Sequence, residues 1–528
     1  MFLKILILII FFAVMIGVGI YCRKSAANVQ GFVLGDRKVG SWLTAFAFGT
    51  SYFSAVIFVG YAGQFGWKYG LSATWIGLGN ALIGSLLAWR ILGRRTRLMT
   101  QYLKSATMPD FFGQRFNSEA LKVAASVIVF IFLIPYTASL YNGLSRLFGL
   151  SFGIDYSWCV LGMAILTGIY VLVGGYMATA VNDFIQGMIM LVGIVAVIIS
   201  VLNGNGGFTA AIEKMSQIPS ESAPALNGAF VSFFGPQPIY LLGVVLLTSL
   251  GTWGLPQMVG KFYAIRDEAA IRKGTFISTF FAIIVAGGCY FLGGFGRLYG
   301  NVIEFGANGN PIYDSIVPSM LQTLPDLMIG VVIILVLSAS MSTLSSLVLT
   351  SGSTLTLDII KPALAKGGKD MSEKSQLLSI RLLVVFFIAV SSILAIVQAK
   401  SSVTFIAQLM GISWGALAGA FLAPFLYGLY WKKTTKASVW ASFIVGVGIM
   451  CGCMYGTFTH TTFISPFFSS PINAGVLSMV AGLVIVPIVS LFSKVKEKDS
   501  VDKMFGCYER QVTVHASTSL MDADEVKK

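Results

Sequence analysis

Residues 335–350 read LVLSASMSTLSSLVLT. The stretch lies inside a long apolar run yet carries six hydroxyls within nine residues: Ser338, Ser340, Ser342, Thr343, Ser345 and Ser346. On a helix, residues three and four apart are neighbours, so Ala339, Ser342, Thr343 and Ser346 share one face. Small hydroxyl residues let membrane helices pack closely, which is one use for such a row. Holding a small hard cation is the other, since Na⁺ prefers oxygen to nitrogen or sulfur. The stretch alone leaves both uses open.

Outward from it, the composition is that of a polytopic membrane protein. Of 528 residues, 56% are hydrophobic and 11% charged, with 57 glycines; a soluble domain carries about 25% charged residues. Thirteen apolar segments are long enough to cross a hydrocarbon core of roughly 30 Å: 3–21, 42–63, 71–92, 121–146, 156–173, 179–201, 239–258, 276–298, 327–351, 380–399, 402–430, 437–455 and 473–492. With the first segment starting outside, only Lys4, Lys68, Arg146, Lys214, Arg297 and Lys400 of the 36 Lys and Arg face outward. That asymmetry predicts a multi-pass protein of the plasma (cell inner) membrane, N-terminus outside and C-terminus cytoplasmic. The net charge of +14 is then a topology signal with some attraction to anionic lipid, and nucleic acid is not an expected partner. Segment 3–21 is expected to stay: it lacks a small-residue cleavage site and is followed by Arg23 and Lys24. The six cysteines fall in predicted helices or on the cytoplasmic side, so no disulfide framework is expected.

Two spans are interrupted. In residues 42–66, Gly49-Thr50-Ser51 and Ser54 break an apolar run, and in 243–260 Gly251–Gly254 break another, which Pro256 stops. Freed backbone carbonyls at mid-membrane are tolerated only where they line a site or cavity. Five helices separate the starts of the two breaks, and broken helices in corresponding places of two halves point to an inverted-repeat secondary transporter. Between them, LVGGYMATAVNDFIQGMIMLVG (172–193) carries a double glycine and then Asp183, the one acid placed inside an apolar helix. A carboxylate there calls for an ion partner or a cavity, unless it reaches interfacial water at the cytoplasmic end. Residues 31–42 read as an amphipathic cytoplasmic linker, 107–118 as an interfacial loop with a short helix, and the tail after Phe492 as charged and mobile.

These pieces, in order, resemble the sodium:solute symporter family, whose members carry proline, sugars, sialic acid, pantothenate and monocarboxylates. The resemblance rests on GFVLGDRKVGSWLTAFAFGTSYFSA (31–55), MPDFFGQRF (108–116), YVLVGGYMATAVNDFIQ (170–186), PQMVGKFYAIRD (256–267), LSASMSTLSS (337–346) and SPINAG (470–475). It covers residues 3–492. It implies an all-α polytopic fold of about 13 transmembrane helices around a ten-helix (5+5) inverted-repeat core of the LeuT-like type, with the first and sixth core helices broken. The expected division is 1–41 first helix and linker, 42–430 transport core, 431–492 two accessory helices and 493–528 cytoplasmic tail. One departure is Tyr176, where the family usually has Leu, Met or Phe after the double glycine.

By position, the resemblance implies a sodium site made by Thr50, Phe53, Ala339, Ser342 and Thr343, with Na⁺ as coupling ion. Some members bind a second sodium, which here would use Asp183, Ser345 and Ser346. Substrate would sit between the broken helices, lined by Tyr52, Ser54, Thr74, Tyr136, Asn142, Trp253, Gln408 and Trp414. The family's proline carriers usually have an acid at the Tyr52 position, and this chain does not. The arginine of its sialic-acid carriers and the sugar-gripping acid are also missing. The implied partners are a small organic solute, sodium ions and lipid; the oligomeric state is left open.

The expected activity is sodium-coupled uptake of a small solute by alternating access, a small amino acid such as proline first, a short carboxylate, vitamin or sugar next. From another class, a membrane sensor with a transporter-like domain is the alternative. Within the carrier class, proton coupling is the rival, but it would want more titratable groups. An enzyme is not expected: His460 and His515 lie in a loop and the tail, and Asp183 stands alone.

Overall fold

The computed structural model describes residues 2–152, 155–306, 309, 311–399, 406–494 and 498–509. Helices make up the described chain, joined by short turns, with two isolated β-bridges. Among the described residues, ten helices are long and apolar enough to cross a membrane, or eleven if the bent pair Pro238–Gly254 and Pro256–Ala264 counts as one span. The thirteen expected crossings are therefore not reached by this measure. Two runs, Val56–Tyr102 and Tyr156–Gly204, are each continuous where the sequence suggested separate segments. In the second, Gly175 turns the chain without ending the helical run: its φ of 55° and ψ of −149° lie far outside the helical region. Only glycine takes that conformation at low cost, and a side chain there would also meet the Phe32 backbone.

Both expected breaks are present, each displaced from its predicted place. The first helix, Ser41–Tyr52, runs through Gly49–Thr50–Ser51 and opens at Phe53, which is extended (φ −94°, ψ 91°). The chain resumes at Val56–Tyr61 and continues as Ala62–Tyr69. In the other, Gly251–Gly254 tighten into a 3₁₀ turn, Leu255 is extended, and Pro256 opens a new helix, Pro256–Ala264, bent by 47° from the first half. Proline starts this helix where the sequence had it stop the span. Its missing N–H and fixed φ suit a first helical position.

The hydroxyl-bearing helix Asp326–Thr354 lies at the centre of the bundle. It packs against Tyr156–Gly204, Glu119–Phe152, Glu373–Ala399 and Ser41–Tyr52. Pro471–Phe492 and Lys436–Thr459 pack on Ile406–Tyr430, and Phe2–Tyr21 packs on Tyr156–Gly204. The 31–42 linker is no loose strap. Phe32 is fully buried, and Arg37 binds the carbonyls of Tyr263, Thr100 and Ser105. Burial draws its guanidinium down to about 10, still charged at neutral pH.

The short helix Met108–Arg115 is capped by Thr107, whose hydroxyl accepts from Asp110 N at 3.1 Å. The tail is not wholly free. Helix Lys498–Phe505 buries Val501 and Phe505, and Tyr508 donates to Leu429 O at 3.0 Å. Asp183 is also not the lone acid inside: Asp358 is 1% exposed, with Lys122 at 3.6 Å and the Thr107 hydroxyl at 2.6 Å.

Candidate ion and solute site

The break at Phe53 frees the backbone beside it. Phe53 N closes the last regular bond of its helix, to Gly49 O, and the next carbonyl, that of Thr50, turns to another helix. It accepts from Ser342 Oγ and from Thr343 Oγ1, at 3.1 Å each. The carbonyl of Ala339 accepts from the same two hydroxyls, at 3.2 Å each. Four oxygens from two helices thus meet in one place, and all four residues are at most 1% exposed. Each hydroxyl oxygen keeps a lone pair when its proton turns aside, so two carbonyls and two hydroxyls can face a cation together. That is a neutral, all-oxygen donor set, of the kind a hard monovalent ion accepts.

Of the five expected ligands, the structure joins Thr50, Ala339, Ser342 and Thr343. Phe53 stands at the break itself, stacks on Tyr52 with centroids 4.4 Å apart, and is not hydrogen-bonded to the other four.

Asp183, Ser345 and Ser346 behave differently from one another. Ser345 Oγ donates back to Ser342 O of its own helix at 2.9 Å. Ser346 Oγ lies 2.8 Å from Ser51 Oγ and accepts from Lys261 Nζ at 2.9 Å. Lys261 Nζ in turn lies 3.7 Å from Asp183 Oδ2, an ion pair longer than a hydrogen bond. Asp183 does not reach interfacial water: it is fully buried.

The sequence alone does not single out Lys261: a span that ends at residue 258 leaves it among the loop charges. The available signal was Pro256, a residue that begins helices more readily than it interrupts them.

Four of the expected substrate-lining residues come together. The rings of Tyr52 and Trp414 lie 5.7 Å apart, and Tyr136 meets Trp414 edge-on at 5.9 Å. Ser54 Oγ, Tyr136 Oη and Trp414 Nε1 are buried without a well-formed hydrogen-bond partner, and Tyr136 Oη faces the other two. Buried polar atoms with only one another as loose partners inside an aromatic wall suit a ligand that is small and polar at one end.

Tyr52 Oη donates to Thr248 O, tying one break to the other helix. Trp253 Nε1 donates to Ile83 O at 3.1 Å. Thr74 and Gln408 are half-buried and form no hydrogen bond or ring contact with the Tyr52–Trp414 group. Asn142 lies outside the residues whose side chains are described. Sequence reading also missed Asn80, whose Oδ1 accepts from Thr248 Oγ1 at 2.9 Å and Ser249 Oγ at 3.1 Å, just ahead of the second break.

The model of the sodium:solute symporter family matches residues 32–446. The osmoregulated proline transporter OpuE of Bacillus subtilis is 30% identical over 513 residues, covering 95% of this chain and 97% of the relative. Sodium/proline symporter 2 of Staphylococcus saprophyticus is 30% identical over 453 residues, 84% of each chain. A solved Na⁺-coupled sialic acid symporter, captured substrate-bound and outward-open, superposes with a TM-score of 0.70 over 93% of this chain and 98% of its own, at 17% identity. That likeness shows that the two chains share their LeuT-like helical fold.

Proposed function

Because the chain belongs to the sodium:solute symporter family, and so couples solute uptake to sodium, we propose that its solute is a small amino acid, L-proline first. The single observation that carries the site is the meeting of Thr50 O and Ala339 O with the hydroxyls of Ser342 and Thr343. Those oxygens, with Phe53, are the proposed sodium ligands. A cation there would tie the broken helix Ser41–Tyr52 to Asp326–Thr354 and favour the conformation in which both are close. Losing it to a sodium-poor cytoplasm releases them. Each sodium moved inward down the membrane potential contributes about 2.3 kcal/mol per 100 mV.

Proline is proposed for two reasons. Two relatives that align along most of the chain are named for proline, and the Tyr52, Ser54, Tyr136 and Trp414 group offers aromatic walls with few polar atoms. Tyr52 gives a short carboxylate as the second reading, because the family's proline carriers usually have an acid there. The N-terminus outside and the C-terminus cytoplasmic follow from the Lys and Arg distribution. Segments 1–41 and 431–492 act as accessories to the 42–430 core, with 493–528 as the tail.

The test is uptake of labelled L-proline into proteoliposomes under an inward sodium gradient, with choline as control. Accumulation that requires sodium and fails to be displaced by excess acetate or lactate supports proline. Full displacement by those acids moves the assignment to carboxylates, and equal uptake in choline overturns sodium coupling here.

A further inference from the structure

Lys261, Asp183, Ser346 and Tyr176 form a group that the sodium site above does not use. The Lys261 side chain is 3% exposed and that of Asp183 1%. Its ammonium donates to Ser346 Oγ at 2.9 Å, faces Asp183 Oδ2 at 3.7 Å, and lies 5.3 Å from the centre of the Tyr176 ring. Among the described residues no well-formed hydrogen bond reaches either Asp183 oxygen, and this ammonium is the charge that balances it. A hydroxyl, a carboxylate and an aromatic face are three kinds of partner that each favour a cation.

The place is continuous with the sodium site, because Ser346 Oγ is 2.8 Å from Ser51 Oγ and Thr343 Oγ1 is 3.5 Å from Ser51 O. A narrow cavity of about 50 Å³ also leads to it, lined by Tyr176, Thr179, Gln257, Lys261 and Ser346. An ion in that cavity would stand beside Ser346, at the position that faces Asp183. That position is held by a charge on the chain itself. Two monovalent cations cannot share one carboxylate at such range in a low-dielectric interior without strong repulsion.

We propose that Lys261 is a resident cation that fills the position between Asp183 and Ser346, so that this carrier binds one sodium ion, and that removing the ammonium opens a second sodium position. The proposal rests on the sodium-site reading above and goes beyond it by assigning the ion count to a single side chain. Lys261 is a specificity-determining residue in this sense, with Asp183 as its fixed counter-charge.

The experiment counts ²²Na⁺ bound to the purified full chain in detergent at saturating sodium, with choline holding the ionic strength. Wild type is expected to hold one ion, Lys261→Met two, and Lys261→Arg one. The double variant Lys261→Met/Asp183→Asn should return to one, which a merely loosened fold would not do. Two ions on wild type overturn the proposal without any variant. So does a monodisperse Lys261→Met protein that still holds one; Lys261→Gln replaces it should the Met variant not fold. No bound sodium on wild type overturns the sodium-site reading itself, a result distinct from two.

Discussion

Thr343 contributes a hydroxyl oxygen to the four-oxygen cluster, and its methyl group packs in a fully buried place. Thr343→Val keeps that shape and removes the oxygen. A hydrogen-bond-strength contact to a charged partner is worth about 1.5–3 kcal/mol, so the sodium concentration for half-maximal uptake should rise roughly tenfold or more. Thr343→Ser keeps the oxygen and should stay near wild type. A sodium titration of uptake in both variants checks this, and an unchanged response in Thr343→Val removes Thr343 from the site. The same titration on Ser342→Ala should show a shift of similar size.

The hydroxyl row was legible at this scale because three- and four-residue spacing places it on one face whatever surrounds it. Thr50 and Phe53 were not: any residue has a carbonyl, and only the family resemblance pointed to these two. Lys261 was invisible for another reason. Its meaning depends on a helix that begins at Pro256, and no count of loop charges separates it from the interfacial lysines.

Helices meet where glycines let them. A Cβ on Gly66 would lie 2.0 Å from the Gly293 carbonyl oxygen, and one on Gly293 would lie 2.1 Å from that of Ala62. Helices Ala62–Tyr69 and Glu268–Gly294 therefore touch backbone to backbone, and neither can yield by rotating a side chain. Gly66→Ala should lower the thermal midpoint in detergent, at an overpacking cost of about 1–3 kcal/mol. Gly162→Ala, inside helix Tyr156–Gly204 with nothing within 4 Å of the added carbon, should leave the midpoint unchanged or raise it slightly, alanine being the better helix former. Equal midpoints for the two variants would show that the first pair has room to part.

At the end of Glu268–Gly294, Asp267 accepts from Ala270 N at 2.7 Å. That bond and Arg266 beside it hold its carboxyl below the ordinary carboxylate range. A depressed acid stabilises the fold above its unfolded value, and the gain is lost as pH falls through the folded one. Asp267→Ala should therefore destabilise the protein at pH 7 by about 1 kcal/mol, the usual worth of an N-cap, and by less as the pH is lowered below 4. A midpoint difference that stays flat with pH would assign the loss to something other than the charge. Elements of this kind were largely legible, since length and apolarity mark the spans and Gly or Pro mark the breaks. The number of crossings was harder to read, because Gly175 and Gly70 bend the chain inside continuous helical runs and composition does not show where a run ends.

As a whole, the molecule presents a narrow way in from one end. The cavity that reaches Lys261 and Ser346 is also lined by Val33, Thr107, Met108, Thr350 and Ser353, at the end of the bundle that carries the Met108–Arg115 helix. On the opposite side, helix Tyr313–Gln322 lies against Ala62–Tyr69. A ligand moves such an equilibrium only by its difference in affinity for the two conformations. At the proposed site of Thr50, Ala339, Ser342 and Thr343, sodium would tie the broken helix to Asp326–Thr354, so it should favour the conformation in which this cavity is shut. Thr350→Cys reports on that directly, as a half-buried residue on the cavity wall. Cys451, the one exposed native thiol among the six, is first replaced by Ser. Sodium, against choline, should slow maleimide labelling of Thr350→Cys several-fold, and Ser342→Ala should abolish the slowing. Labelling that ignores sodium in both backgrounds would mean that the ion, wherever it binds, does not control this opening. Slowing that survives Ser342→Ala would place the controlling ion elsewhere in the bundle.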